Sequence, residues 1–307
     1  MRRQASEAEE APQNGILPYA AAGCTVCAWA LAFPLISVAL RDIDPLPLAS
    51  ARFAVASVLA ACWLAARSTG LPSPRDMATF GGLGLIGVAL YHVSLNAGQE
   101  TVSPAAASFI INTLPVLTAI VAWVVLGERL STRAWLGMAI SFVGILGIAF
   151  AQPGGIALGG GASLVFLAAC CSAIYFVFQR DVVRRYGALT TTAYALCAGA
   201  TLLCPWLPKA VGQVASSSDD QTLIVILLFL GTFSSAIGYA TWAYASSRLG
   251  VAKTANLLYL VPIATILSTV LILGQLPSAG TVLGGVLVLA GVAVTNTRWA
   301  KPFGTRR

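Results

Sequence analysis

Residues 103–148 read SPAAASFIINTLPVLTAIVAWVVLGERLSTRAWLGMAISFVGILGI, which is two apolar runs on either side of a short charged turn. The pattern returns at residues 250–295, as GVAKTANLLYLVPIATILSTVLILGQLPSAGTVLGGVLVLAGVAVT. The two stretches align without a gap at an offset of 147 residues, so that Pro115 falls on Pro262 and several glycines stay in register. Apolar runs match one another easily, but prolines and glycines do not. We interpret the pattern as an internal duplication that organises the whole chain.

The composition is typical of a membrane protein. The chain has 307 residues, of which 58% are hydrophobic and 9% are charged, and its mean hydropathy is +0.83. Soluble domains carry about 25% charged residues, so a soluble globule is disfavoured. The apolar runs are about 20 residues long, enough to cross the hydrocarbon core of a bilayer as helices. They lack the alternation of barrel strands, so the sequence predicts an all-α integral membrane protein.

Turn residues divide the chain into ten apolar segments, and the duplication assigns five of them to each half. We predict a first repeat at 16–151, a linker at 152–159 and a second repeat at 160–297. A disordered cytoplasmic tail is expected at 1–15 and a basic cytoplasmic tail at 298–307. The ten segments are 16–40, 45–66, 77–98, 104–126, 133–151, 160–179, 188–207, 222–246, 251–274 and 279–297.

The positions of Lys and Arg predict the orientation, because cytoplasmic loops of membrane proteins are enriched in these residues. Counting loops alternately from an inside N-terminus places fifteen of the 18 Lys and Arg residues inside and two outside, with Arg52 within a segment. Both termini are therefore predicted to be cytoplasmic, in a multi-pass protein of the inner (plasma) membrane. Five helices carry the chain across once, so the halves are expected to be inverted repeats around a central cavity, which suits alternating access.

The chain resembles the EamA branch of the drug/metabolite transporter superfamily. The resemblance rests on Trp29 and Pro34 in the first segment, Arg52 in the second, and LPVLTAIVAWVVLGERL at residues 114–130. It covers about residues 16–297 and implies ten helices, a central cavity, and efflux of amino acids or other small metabolites. Within the branch, the chain is most similar to the YddG-type amino-acid exporters.

The charged turn that ends the fourth segment differs between the halves. Glu128 lies in the Gly-Glu-Arg turn at the predicted cytoplasmic face, whereas Gln275 occupies the matching position of the second half. A paired-glutamate role is therefore not expected. We assign Glu128 to a gate or an anchor rather than to substrate binding.

The repeated prolines predict bends in the fourth and ninth segments. Proline removes a backbone donor and clashes with the preceding turn, so Pro115 and Pro262 are candidate hinges. Asn112 and Tyr259 each lie three residues before their proline, and Asn256 shares a face with Tyr259. We expect these three side chains to bind substrate at the bends. The alternative is that they form polar contacts between helices, worth about 1 kcal/mol each.

Polar rings in the third and eighth segments are also candidates for the pathway. His92 is the only histidine, and the duplication places it on Tyr239. Asn96 lies one turn from His92, and Trp242 lies three residues after Tyr239, each on the same helix face as its neighbour. Intramembrane polar groups usually face a cavity, so we expect all four to line the pathway. The alternative for His92 is a hydrogen bond between helices.

Trp29 and Tyr175 lie in the first helix of each half, where aromatic side chains would line a cavity and contact an apolar substrate. A packing or lipid-facing role is the alternative for each. Arg52 could attract an anionic group of the substrate. We give more weight to a structural role for Arg52, in which it extends to the outer surface or caps a helix end.

Several classes of function lack the residues they need. No segment interior holds Asp or Glu, which disfavours a multidrug cation exporter, and one buried arginine is too little for a phosphorylated substrate. No GxSxG, HExxH or Walker motif is present, so neither an intramembrane enzyme nor an ATP-driven pump is indicated. We expect no cofactor, no metal and no nucleic-acid partner. The seven cysteines are better explained by helix packing than by metal binding.

These features predict a carrier that exports aromatic or neutral amino acids, or similar small metabolites, by alternating access. Its partners would be the small-molecule substrate and the lipid bilayer, and the chain is expected to be monomeric. Two alternatives stay open: export of other small metabolites or drugs, and a pore. Proton coupling could depend only on His92, so facilitated diffusion is also open.

Overall fold

The computed structural model describes residues 15–67, 72–127, 131–151, 160–249, 254 and 257–296. These described ranges contain helices and turns and no strand, which confirms the all-α prediction. The α-helices are Ile16–Ala39 (α1), Pro45–Ala66 (α2), Pro74–Gly84 (α3), Tyr91–Gln99 (α4), Pro104–Ile111 (α5), Leu114–Leu126 (α6), Thr132–Phe150 (α7), Gly161–Phe178 (α8), Arg180–Tyr186 (α9), Ala188–Leu203 (α10), Leu207–Ser216 (α11), Asp220–Phe229 (α12), Gly238–Leu249 (α13), Leu260–Leu273 (α14) and Ala279–Asn296 (α15).

Eight helical stretches in the described part of the chain are long and apolar enough to cross a membrane, so the protein is a multi-pass membrane protein. Two shorter apolar helices, α14 and α15, follow them. The eight stretches are Ile16–Ala39, Pro45–Ala66, Pro74–Gln99, Pro104–Leu126, Thr132–Phe150, Gly161–Phe178, Ala188–Ser216 and Asp220–Leu249. The eight stretches overlap eight of the apolar segments predicted from the sequence.

Two of these stretches contain a π-helical segment, and the two segments occupy matching positions of the duplication. Leu85–Leu90 joins α3 to α4, and Leu230–Ile237 joins α12 to α13. The repeat offset places residue 85 on residue 232 and residue 90 on residue 237. A π-helical segment inserts extra backbone into a helix and is frequent at functional sites. Both segments contribute residues to the cavity described below.

The fourth segment is broken just before its proline. α5 ends at Ile111, the chain makes a turn at 112–113, and α6 begins at Leu114. Pro115 cannot donate a backbone hydrogen bond to the preceding turn, which explains why the break lies there. In the second half a turn at 258–259 precedes α14, which contains Pro262. The structure therefore has a break at each predicted bend.

The ends of α6 and α14 also match across the duplication. Gly127 follows α6 with a φ of +66°, and Gly274 follows α14 with a φ of +66°. Side chains strongly disfavour this left-handed conformation, and glycine adopts it without strain. The same helix-ending device is thus present twice, 147 residues apart.

Close backbone contacts that position the cavity wall also occur in pairs. A Cβ atom on Gly84 would lie 2.6 Å from the Gly199 nitrogen, and one on Gly231 would lie 2.8 Å from the Arg52 carbonyl oxygen. The repeat offset relates Gly84 to Gly231 and Arg52 to Gly199, so the two contacts are equivalent. The contact at Gly231 holds α2 against the second π-helical segment and fixes the backbone of Arg52 at the cavity wall.

Candidate functional site

A cavity of about 820 Å³, including its open mouth, lies among helices of both halves. Six of the predicted site residues line this cavity, namely Trp29, Arg52, His92, Asn112, Tyr175 and Tyr239. Sequence reasoning missed the other polar or aromatic lining residues, namely Phe33, Tyr91, Ser172, Phe176 and Ser234.

Aromatic rings from α1 and α13 form one side of the cavity. The Trp29 ring lies 5.5 Å from the Tyr239 ring and 5.9 Å from the Trp242 ring, measured between centroids. The Trp29 indole Nε1 donates a hydrogen bond of 3.1 Å to the carbonyl oxygen of Ser234, in the second π-helical segment. The Trp29 ring is therefore held by the neighbouring rings and by the hydrogen bond from Nε1. A ring held in this way is suited to contact an apolar group of a ligand.

Arg52 lies in the cavity wall and does not extend to the protein surface. It is 3% exposed. Its Nε donates a hydrogen bond of 2.8 Å to the Ser235 hydroxyl, and its Nη2 donates one of 2.9 Å to the Ser234 hydroxyl. The Ser235 hydroxyl donates in turn to the Leu230 carbonyl oxygen at 2.9 Å, which leaves its oxygen free to accept from Arg52. Two serines of the π-helical segment thus orient the guanidinium group.

The third Arg52 nitrogen, Nη1, is buried and has no hydrogen-bond partner among the described residues. Guanidinium carries five donors in a fixed planar arrangement, and a buried donor without a partner is costly. None of the described residues that line the cavity is Asp or Glu. The wall therefore contains a buried positive charge with unused donor capacity.

His92 is 2% exposed and lies between two aromatic rings. Its ring centroid is 4.3 Å from that of Phe53 and 4.4 Å from that of Tyr91. Its Nδ1 lies 2.9 Å from the Val88 carbonyl oxygen, one turn earlier, so Nδ1 carries a proton and donates it. The described hydrogen bond is thus within one helical stretch rather than between helices. Nε2 is left as the nitrogen available to a ligand.

Asn112 lies in the turn between α5 and α6, where the helix is broken. Its Nδ2 donates a hydrogen bond of 2.9 Å to the Ser108 carbonyl oxygen, and its Oδ1 remains as an acceptor. The break thus places one polar side chain at the cavity without leaving its amide nitrogen unpaired.

Five other predicted residues do not line the cavity. Asn96 is fully buried, and its Nδ2 donates a hydrogen bond of 2.9 Å to the Pro45 carbonyl oxygen at the start of α2. Trp242 lies behind Trp29 and packs its ring against that of Phe176, at 6.4 Å. Tyr259, Pro115 and Pro262 lie at or after the helix breaks.

Two predicted positions, Asn256 and Glu128, lie outside the described residues. Among the residues that are described, no cluster of three or more His, Cys, Asp or Glu side chains is placed to hold a metal ion.

One end of the bundle is held by an ion pair between the two halves, which sequence reasoning missed. The Lys209 Nζ lies 2.6 Å from the Asp44 Oδ2, and the Asp44 backbone nitrogen donates a hydrogen bond of 3.2 Å to Gln213. Hydrogen bonds from Lys209 and Gln213 lower the pKa of Asp44 below its usual value of 3.8. The pair therefore stays charged at neutral pH. We call it the Asp44 clasp.

A second ion pair between the halves joins the first turn of α3 to α9. The Arg185 Nη1 lies 2.7 Å from the Asp76 Oδ1, and the Tyr186 hydroxyl donates a hydrogen bond of 2.7 Å to the Asp76 Oδ2. The Ser73 hydroxyl also donates to Oδ2, at 2.8 Å. The bond to Asp76 raises the pKa of Tyr186. We call this set the Asp76 clasp.

A multi-pass helical protein with a cavity lined by both halves of the chain has the features of a membrane transporter. The chain belongs to the EamA-like transporter family, whose model matches residues 17–150 and 159–297. The family resemblance stated from the sequence is thereby confirmed. The two matched blocks correspond to the two halves of the duplication.

Three similar proteins are also named as a transporter, an exporter or an efflux pump. The chain is 35% identical over 281 residues to the "Probable terminal-alkyne amino-acid exporter" of Streptantibioticus cattleyicolor, covering 89% of this chain and 91% of that one. It is 31% identical over 267 residues to the "Uncharacterized transporter YdfC" of Bacillus subtilis, covering 87% of each chain. It is 24% identical to the "Probable amino-acid metabolite efflux pump" of Escherichia coli, covering 90% of this chain and 94% of that one.

A solved structure shares the fold. Its similarity to this chain has a TM-score of 0.56 at 21% sequence identity, and it covers 90% of this chain and 96% of the other.

Proposed function

We propose that the protein is a carrier that exports aromatic or neutral amino acids, or similar small metabolites, by alternating access. It would do so as a ten-helix protein of the inner membrane with both termini in the cytoplasm and no enzymatic activity. The observation that carries the proposal is the cavity, because aromatic rings and a few polar groups converge on it from both halves. Such a wall suits a small molecule with an apolar body and a polar end.

The names of the relatives support the substrate class. Two of the three relatives described above are named for amino acids or amino-acid metabolites. In this chain, the rings of Trp29 and Tyr239 would contact the apolar side chain of the substrate. Arg52, His92 and Asn112 offer the polar groups for its charged end.

The repeated deformations support alternating access. The π-helical segments, the helix breaks and the glycine contacts each occur once per half at matching positions. An odd number of spans in each half would make the two halves inverted repeats, which can exchange conformations to open the cavity to one side and then the other. The repeat boundaries would be 16–151 and 160–297, with 152–159 as the linker.

The two clasps provide the ends that would open. Each joins the first half to the second. Asp44 precedes α2, and Asp76 lies in the first turn of α3, so the 22 residues of α2 lie between them in the chain. Breaking the Asp44 clasp while the Asp76 clasp holds would open one end, and the reverse would open the other. In the predicted orientation, the Asp44 clasp faces outside and the Asp76 clasp faces the cytoplasm.

Counterflow in proteoliposomes tests the proposal. Purified protein is reconstituted, and uptake of radiolabelled phenylalanine, leucine, a quaternary cation and a sugar phosphate is measured with and without unlabelled substrate loaded inside. A carrier is expected to show saturable uptake of an amino acid that internal unlabelled substrate accelerates, because the loaded cavity reorients in exchange. Unsaturable uptake without acceleration would identify a pore. Uptake of the cation alone would overturn the substrate class.

A further inference from the structure

Among the described residues, no Asp or Glu side chain forms an ion pair with Arg52. All eleven Asp and Glu residues lie in the N-terminal tail or at the ends of apolar segments. The nearest in sequence on the N-terminal side is Asp44, which pairs with Lys209 at the end of the bundle. A charge in a membrane interior normally pairs with an opposite charge or faces a wet cavity. The Arg52 side chain faces the cavity, so the missing partner is expected to come from there.

The hydrogen bonds of Arg52 leave one nitrogen of its guanidinium group, Nη1, for a ligand. Ser234 and Ser235 accept from Nη2 and Nε, at 2.9 and 2.8 Å, and hold the group in one orientation. Nη1 is buried without a partner in the described part of the chain. Arginine binds carboxylates through parallel N–H donors, and such charge-assisted hydrogen bonds are among the strongest in proteins. The oriented group is thus suited to a carboxylate.

The cavity offers no equivalent site for an ammonium group. None of the lining residues is acidic, so a substrate amine would meet only uncharged acceptors and ring faces such as those of Trp29 and Tyr239. An ammonium group would add a second positive charge to that of Arg52, whereas a carboxylate without an amine would neutralise Arg52. The carboxylate is therefore the group that the cavity can recognise best.

We propose that Arg52 is the carboxylate anchor of the cavity, and that the class of ligand is small apolar or aromatic monocarboxylates for which an α-amino group is dispensable. The inference rests on the proposed function and narrows its substrate. Amino acids then bind as one kind of carboxylate, and their deaminated or N-acylated counterparts bind as well. Amides and amines of the same shape bind poorly.

Direct binding of four compounds that share one ring tests the anchor without requiring transport. Isothermal titration of the purified full-length chain is performed with 3-phenylpropionate, phenylalanine, phenylalaninamide and 2-phenylethylamine. The two carboxylates are expected to bind within about tenfold of each other, and the amide and amine about 10- to 100-fold more weakly, as expected for loss of a charged hydrogen bond. Equal binding of 2-phenylethylamine and 3-phenylpropionate would overturn the proposal.

Variants then assign the effect to one residue. Arg52→Gln is expected to weaken 3-phenylpropionate about 10- to 100-fold and to leave phenylalaninamide unchanged, so that the preference for carboxylates disappears. Arg67→Gln is the matched control, because Arg67 ends the same helix, is exposed and lies against the Trp63 ring at 5.2 Å. It should behave as wild type. An unchanged preference in Arg52→Gln would contradict the anchor.

Two further variants test the anchor if Arg52→Gln does not fold. Arg52→Lys keeps the charge but loses the paired donors, and Ser235→Ala removes the acceptor that orients Nε. Each is expected to reduce the carboxylate preference part of the way, and no reduction in either would count against the anchor.

Failure of the proposed function would look different from failure of the anchor. Arg52-dependent binding with no uptake of any amino acid would overturn the proposed function and leave the anchor standing. If 2-phenylethylamine and 3-phenylpropionate inhibit phenylalanine uptake equally, the anchor is overturned and the proposed carrier function stands.

Discussion

Trp29 shows how one residue can join several parts of a binding cavity. Its indole nitrogen is bonded to the Ser234 carbonyl oxygen, and its ring contacts the rings of Tyr239 and Trp242. Ser234 also accepts from Arg52 through its hydroxyl. The aromatic side and the charged side of the cavity therefore meet at one residue of the second π-helical segment. A change at Trp29 should affect the apolar contact first.

Replacing Trp29 by alanine is expected to raise the KM for amino-acid uptake about tenfold, because the substrate loses a ring contact that the wall cannot replace. Trp29→Phe keeps a ring and loses the bond to Ser234, so its KM should rise less. Uptake kinetics in proteoliposomes measure both. Trp206→Ala is the control, since Trp206 is exposed in the turn between α10 and α11. A KM for Trp29→Ala equal to that of the control would exclude Trp29 from the site.

Single site residues could be predicted from the sequence where the residue type is unusual inside a membrane segment. A lone histidine, a buried arginine and aromatic residues in the first helix of each half are unusual enough to select from the sequence, and the structure places them at the cavity. Asn96 shows the limit. It shares a helix face with His92, but its Nδ2 bonds to the Pro45 carbonyl oxygen, and the neighbouring Leu95 lines the cavity instead. Periodicity groups residues on a helix face but does not give the packing partner of each residue.

At the scale of helices, α7 and α15 pack through glycines. A Cβ atom on Gly144 would lie 2.6 Å from the Gly284 carbonyl oxygen, whereas one on Gly147 would lie 3.7 Å from its nearest neighbour, the Gly284 Cα. Ser141 donates a hydrogen bond of 3.2 Å to the Val288 carbonyl oxygen in the same contact. Small residues that let backbones approach are typical of helix contacts in membranes.

The pair Gly144 and Gly147 gives a matched test of this packing. Gly144→Ala is expected to destabilise the protein by about 1–3 kcal/mol, because the added methyl group forces the two helices apart. Gly147→Ala has room for the methyl group and should be neutral or stabilising by up to about 1 kcal/mol through helix propensity. Thermal unfolding in detergent, followed by size-exclusion chromatography, measures both. Equal midpoints for the two variants would contradict the described contact.

The helix breaks were predictable and the π-helical segments were not. Pro115 and Pro262 have a defined effect on the backbone, so their positions indicated the bends. No residue type is required for a π-helical segment, and neither LIGVAL at residues 85–90 nor LGTFSSAI at residues 230–237 contains a residue that predicts one. Ser234 and Ser235 therefore could not be recognised as the partners of Arg52. Their role depends on a local widening of the helix that the sequence does not signal.

At the scale of the whole molecule, the two clasps connect halves that are distant in sequence. Asp76 and Arg185 lie 109 residues apart on different helices, and charged residues near helix ends are common in membrane proteins. Sequence alone therefore did not pair them. The clasps differ in burial: the side chains of Asp44 and Lys209 are 50% and 60% exposed, whereas that of Asp76 is 5% exposed. The two ends should consequently resist opening to different degrees.

Removing the charge from each clasp in turn tests whether the two ends open separately. Asp76→Asn weakens a buried set of three partners, so hydrogen exchange of residues 180–187 should become about tenfold faster. Asp44→Asn breaks an exposed pair and should accelerate exchange of residues 207–216 only a few-fold. Hydrogen–deuterium exchange with mass spectrometry of the full chain measures both ends at once.

Asp42→Asn is the control for these changes, since Asp42 is exposed, lies two residues from Asp44 and carries the same charge. It should leave exchange at both ends as in wild type. Because the pKa of Asp44 lies below 3.8, its clasp keeps its charge between about pH 5 and 8 and is lost only when the pH falls through that lowered pKa. The Asp44→Asn effect should therefore be the same at pH 5.5 and pH 7.5. Acceleration of both ends by either variant would mean that the clasps do not act as separate gates.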